Sequence, residues 1–110
     1  MNFNETDSFR RDFKRLSKKY RSLHDDLDEF KKVLSSLPLG TPKHFNIITV
    51  HGAVNIVKAR LFCKYLKGSS LRIIYAYNEG ECSINFIELY FKGDQSNHDP
   101  KRVKMFLEEN

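Results

Sequence analysis

The chain has 110 residues, enough for one hydrophobic core and too few for two domains, so residues 1–110 are read as a single domain. Nineteen Lys and Arg stand against fourteen Asp and Glu, a net charge of +5 that favours a polyanionic or acidic partner. Two cysteines, no apolar leader and no run near the roughly 18 apolar residues of a bilayer span argue against a disulfide scaffold, secretion or membrane insertion. The expected compartment is the cytoplasm.

A short start, Met1 to Asn4, precedes a helix in which Phe9, Phe13, Leu16 and Tyr20 share one face, with Thr6 or Asp7 as its cap. The same spacing returns in Leu23, Leu27, Phe30 and Leu34, and Ser22 with Asp25 offers a variant of the capping box. Two amphipathic helices therefore form a hairpin joined near Arg21. Lys14, Lys18 and their basic neighbours crowd the first helix, while Asp25, Asp26, Asp28 and Glu29 open the second. That sign pattern suits the helix macrodipoles and equally a role in RNA binding.

Leu37 to Lys43, with Pro38, Gly40 and Pro42, breaks the helical period. Asn46 to His51 reads as a weak strand, and Asn55 to Tyr65, Ser70 to Tyr77 and Cys82 to Phe91 as stronger ones. Lys67-Gly68-Ser69 and Asn78-Glu79-Gly80 are turns short enough to make these three an antiparallel meander. Asp99-Pro100 then places a cap before a proline, and Val103, Phe106 and Leu107 seat a short final helix.

Alternate strand residues share a face. In the first long strand Val57, Ala59, Leu61, Cys63 and Tyr65 read as core, leaving Ile56, Lys58, Arg60, Phe62 and Lys64 opposite. In the next, Leu71, Ile73, Tyr75 and Tyr77 are core, and Arg72 joins the basic row with Ile74 and Ala76. If Ile87 and Leu89 face the helices, then Glu88, an exposed Tyr90 and Lys92 face the cations. A solvated sheet face guarded by Lys and Arg accounts for the lysines but less well for the tyrosine. His24, His44 and His51 lack metal-ligand spacing and read as surface residues, and both cysteines as structural thiols.

At Lys58-Ala59-Arg60, at Lys67 to Tyr75 and at Ile87 to Asp94 the sequence resembles the RelE/ParE superfamily, toxins of type II toxin-antitoxin modules, and Asp12 to Leu16 fits its N-terminal half. The resemblance implies an α+β fold, a β-α-α-β-β-β core in which a helical hairpin packs on an antiparallel sheet, with a short C-terminal helix. For the RelE branch it implies metal-independent cleavage of mRNA on the ribosome, in which the 2′-hydroxyl attacks the adjacent phosphate, with no cofactor. It also implies a cognate antitoxin protein as partner.

By position, Arg72 matches the arginine that follows the glycine-serine turn and is assigned to the scissile phosphate. Lys58, Arg60 and Lys64 occupy the strand that supplies basic catalytic groups. Tyr90 and Lys92 stand where relatives place an acid, a base or a stacking group. Lys14, Lys18, Lys67 and Lys101 are expected to contact RNA. Ser70 replaces a glycine and Leu71 an aromatic of many relatives, and the nearest histidine to the last strand, His98, falls in a polar loop. Two other functions fit the same resemblance: a ParE-like inhibitor of DNA gyrase, and an inactive RNA-binding member of the fold.

Overall fold

The computed structural model describes residues 1–109. Its elements are β1 (Asn2–Glu5), α1 (Asp7–Lys19), α2 (Leu23–Ser36), β2 (Phe45–His51), β3 (Val54–Phe62), β4 (Ser70–Asn78), β5 (Ser83–Phe91) and α3 (Pro100–Glu109). The five strands form one sheet in the order β1-β5-β4-β3-β2. The α+β class and the helical hairpin on a sheet are as expected, but the sheet is mixed. The first strand of the β-α-α-β-β-β order that the resemblance implies begins in the Met1 to Asn4 start: β1 pairs parallel with β5, from Asn2 opposite Ser83 to Glu5 opposite Phe86. Four residues are too few for a periodicity signal, and β1 exists because β5 offers it an edge.

Phe9, Leu16, Tyr20, Leu23, Leu27, Phe30 and Leu34 of the hairpin bury against Val57, Ala59, Leu61, Leu71, Ile73, Tyr75, Ile84, Phe86 and Leu89 of the sheet. Thr6 caps α1, its hydroxyl accepting from the Phe9 N–H at 3.1 Å. Ser22 makes no cap on α2. Instead its hydroxyl donates to Asp26 Oδ2 at 2.7 Å and accepts from the Tyr65 N–H at 3.0 Å, while Asp26 Oδ1 accepts from the Lys64 N–H at 3.3 Å. A buried carboxylate on α2 thus holds the chain as it leaves β3. The strand ends at Phe62, so Tyr65 lies exposed in the turn rather than in the core.

Parity fails within β5. The register slips between Ile74 and Tyr75, which face Glu88 and Phe86, so Ile87 bulges out of the ladder. Ile84 and Phe86 before the bulge, and Leu89 after it, face the hairpin, while Ile87 turns to the opposite side. The expectation that Ile87 and Leu89 share a face is corrected by that extra residue. The second face is also not wholly solvated: Ile56, Ile74, Ala76 and Ile87 pack beneath Val103 and Phe106 of α3. Asp99 opens α3, its Oδ1 accepting from the Lys101 N–H at 3.0 Å. Cys63 is buried, whereas Cys82 is exposed with a φ of 49° just before β5.

Asp12 joins the layers. Its Oδ2 accepts from the Leu89 N–H at 3.1 Å and from Arg102 Nη1 at 2.5 Å, and its Oδ1 accepts from Arg102 Nη2 at 3.2 Å. The carboxylate is buried and Arg102 is largely so. Asp12→Ala removes one partner of a shielded pair and orphans an edge N–H, a loss of about 3 kcal/mol and more than ~10 °C in Tm. Thermal unfolding of Asp12→Ala, Arg102→Met and the double variant checks this; additive losses in the double variant would refute the coupling.

Tyr75 is fully buried, and its hydroxyl donates to the Pro38 carbonyl at 2.7 Å. Burial pushes its pKa well above the ordinary tyrosine value. The folded state therefore keeps the proton when the unfolded chain has begun to lose it. The associated stability is complete below about pH 10 and falls as pH rises beyond it. Tyr75→Phe should cost about 1 kcal/mol at neutral pH through the unpaired carbonyl and flatten the alkaline decline, as followed by urea unfolding from pH 8 to 11.

Candidate nucleic-acid interface

Register across β3, β4 and β5 arranges the uncovered part of the second face in two rows. In one, Lys58, Ile74 and Glu88 stand opposite each other; in the next, Arg60, Arg72 and Tyr90. Like charges directly opposite on one face repel, and among the described residues neither Arg60 nor Arg72 is in an ion pair. Arg72 is instead aimed by a neighbour two residues away: its Nη1 donates to Ser70 Oγ at 2.9 Å. The Ser70 hydroxyl thus gives the guanidinium a fixed support.

Arg60, Arg72 and Lys92 line a shallow depression of ≈ 470 Å³ with Gly68, Ser69, Ser70, Phe91 and Gly93. Gly68 adopts a φ of 74°, a conformation that lets the turn stay tight at the rim. A larger cavity of ≈ 700 Å³ opens between the start of α1 and α3. Its lining sets Arg10, Arg11 and Arg102 against Glu5, Asp7 and Glu109, and Arg10 and Arg102 already pair with Asp7 and Asp12, so its charge is mixed.

Glu88 is 2% exposed and is spoken for by the loop between β5 and α3. One oxygen accepts from Gln95 Nε2 at 2.8 Å and the other from the Asp99 N–H at 2.8 Å. That loop therefore returns over the second face. It lays Asn97 Oδ1 2.6 Å from Lys58 Nζ, and the same oxygen lies 3.1 Å from His98 Nδ1. Burial, and then the charges of Arg72 and Lys92, hold Lys58 below the ordinary lysine pKa, with Glu88 opposing them. Burial and Lys58 likewise lower His98, against Glu88 and Asp99. Tyr90 is raised by burial and Glu88, with Arg72 opposing.

Lys58, Arg60, Arg72, Tyr90 and Lys92 therefore share one region. Lys64 does not: past the end of β3 it lines a cleft with Asp26, Glu29, Phe30, Val33, Leu61 and Phe62, on the α2 side. Tyr90 is 3% exposed, so its ring presents no open face for stacking on a base. Lys14 and Lys18 lie exposed on α1, across the sheet from the basic rows, while Lys67 occupies the turn beside the depression and Lys101 the first turn of α3. His98 and Glu88 complete the region. A loop histidine carries no periodicity, and only the Asp99-Pro100 stop hinted that its neighbour is anchored.

No family model matches the chain, and no curated protein matches it. Among solved structures, the chain is similar to an archaeal RelE in its RelE-RelB complex from Pyrococcus horikoshii OT3, with a TM-score of 0.63 and 19% identity over 84% of this chain and 94% of that one. The RelE fold expected from the strand motifs is the fold of this chain. No helix among the described residues is long and apolar enough to cross a membrane.

His98 is expected to titrate below the ordinary value of 6.5. Because the folded state disfavours its proton, the stability it contributes is present above about pH 6.5 and lost as pH falls through the lower folded value. Lys58→Met removes one of the two influences that lower it, so the NMR titration of His98 should move upward in that variant. A wild-type midpoint at or above 6.5, or no movement in Lys58→Met, would contradict the placement of the loop.

Proposed function

We propose that this chain is the toxin of a type II toxin-antitoxin module, an endoribonuclease that cuts mRNA on the ribosome in the cytoplasm and is neutralised by a small antitoxin protein. The observation that carries the reading is Arg60 directly opposite Arg72, with neither in an ion pair among the described residues. Two guanidiniums in that relation repel until an anion bridges them, and a phosphodiester is an anion that each can grip with two N–H groups. The similarity in fold to a RelE solved with RelB supports the toxin and partner assignments.

In this reading Arg60 and Arg72 hold the scissile phosphate, with Lys92 adding charge as the phosphorane forms. Lys58, lowered by burial and two neighbouring cations, takes the proton of the attacking 2′-hydroxyl. The 2′ oxygen bonds to phosphorus, the bond to the 5′ oxygen breaks, and Tyr90, kept protonated by its raised pKa, supplies the proton to the departing oxygen. The products are a cyclic phosphate and a 5′-hydroxyl. Ser70 positions Arg72, and Glu88 with the Gln95 to Asp99 loop positions Lys58. No cofactor enters the reaction.

Translation of a defined messenger in a purified system, with 5′ ends mapped, tests this. Arg72→Ala should lower the cleavage rate about 10²- to 10³-fold, while Lys64→Ala, off the basic face, should leave it nearly unchanged. Intact messenger with the wild-type protein, together with inhibition of supercoiling by gyrase, would replace this function with that of a gyrase poison. Messenger bound but uncut would leave an RNA-binding protein.

A further inference from the structure

We propose that Phe62 is the platform on which the proposed RNA site stacks the nucleobase adjoining its held phosphate. The inference rests on the RNA reading above and adds a specificity-determining residue to it.

Phe62 is the last residue of β3, and its ring is 61% exposed, although a phenyl group at a strand end is ordinarily drawn under cover. Parity places it on the same face as Lys58 and Arg60, two residues along from Arg60 or about 6.6 Å. Directly opposite is Ser70, the residue whose hydroxyl receives Arg72. Phe62 is thus next along the strand face from Arg60 and opposite the residue that aims Arg72.

It is also held. The His44 ring lies perpendicular to it, with centroids 5.1 Å apart, and the His44 carbonyl accepts from the Arg60 N–H at 3.0 Å. His44 Nδ1 is buried with no hydrogen-bond partner among the described residues, so the imidazole is seated by packing rather than by a polar contact. A pre-oriented aromatic face next to unpaired cations suits an unstacked base on a single strand. Tyr90, in the row with Arg60 and Arg72, is too buried for the task, and Phe91, which lines the depression, packs against the hairpin-side core. Phe62 also borders the apolar cleft with Phe30 and Val33, where a protein segment would sit. The adjacent Arg60 and Arg72 favour the polyanion.

The test uses the full chain and a single-stranded hexamer with 2′-O-methyl riboses, which cannot be cut, read by fluorescence anisotropy. Phe62→Ala should weaken binding about 5- to 150-fold, and Phe62→Leu, which keeps apolar bulk without a π face, should lose most of the same affinity. Phe62→Trp should bind at least as well, with its indole emission quenched by the RNA. A hexamer made abasic at the stacked position should bind the wild type more weakly and Phe62→Ala no more weakly than the intact hexamer does. Unchanged melting temperatures exclude misfolding.

Equal RNA affinity of the wild type, Phe62→Ala and Phe62→Leu would overturn the inference while leaving the nuclease reading intact. If Phe62→Ala instead weakened only the complex with a small protein encoded beside this one, Phe62 would be a protein contact. No binding of the hexamer by the wild type would overturn the RNA reading and this inference together.

Discussion

The carboxylate of Asp12 sets the relation between the two layers that cover the sheet. β1 pairs with β5 only from Ser83 to Phe86, so beyond that point β5 presents an unpaired edge. Asp12, projecting from α1, accepts the N–H of Leu89 there and grips Arg102 of α3 with both oxygens. A charge this buried is tolerable only with its partners in place, so the contact fixes α3 more firmly than the modest apolar seat of Val103 and Phe106 could alone. It also holds Arg102 above the ordinary arginine pKa. Where α3 begins determines where the preceding loop must run.

That loop meets a second buried carboxylate. Glu88 reaches the basic face because the bulge at Ile87 shifts the alternation of β5, placing Ile87 and Glu88 on one side in succession. Its oxygens receive Gln95 and the start of α3, and its charge partly offsets the depression of Lys58. Fold and site are joined at this step. Asp12 anchors α3, α3 anchors the loop, the loop caps Glu88, and Asn97 and His98 arrive beside Lys58 as a result.

Much of this arrangement is legible in the residues, and what is not has identifiable causes. The hairpin, the meander and the Lys58, Arg60 and Arg72 row follow from two periodicities with well-separated signatures. Lys64 leaves the row because β3 ends at Phe62, where Ser22 and Asp26 draw the chain toward α2, a stop that alternation does not encode. Ile87 changes face through one extra residue that alternation cannot reveal. Tyr90 shows that face and burial are separate properties: it lies on the basic face and is nevertheless covered. His98 and the Asp12 clamp depend on contacts separated by tens of residues, and no local pattern encodes them.

The positive charge around the sheet is therefore of two kinds. Arg102 and Arg10 are neutralised by Asp12, Glu5 and Asp7, and their contribution is to architecture. Arg60 and Arg72 are set against each other by strand register, about 5 Å apart across neighbouring strands, with no counter-charge among the described residues. Opposition of this sort costs on the order of 0.2–1 kcal/mol, which a core of the size formed here readily tolerates. It disappears when an anion lies between the two side chains. A phosphate bound there would gain from both guanidiniums and also relieve the repulsion, so the same geometry that slightly weakens the free protein would strengthen the hold on RNA that the proposed function requires.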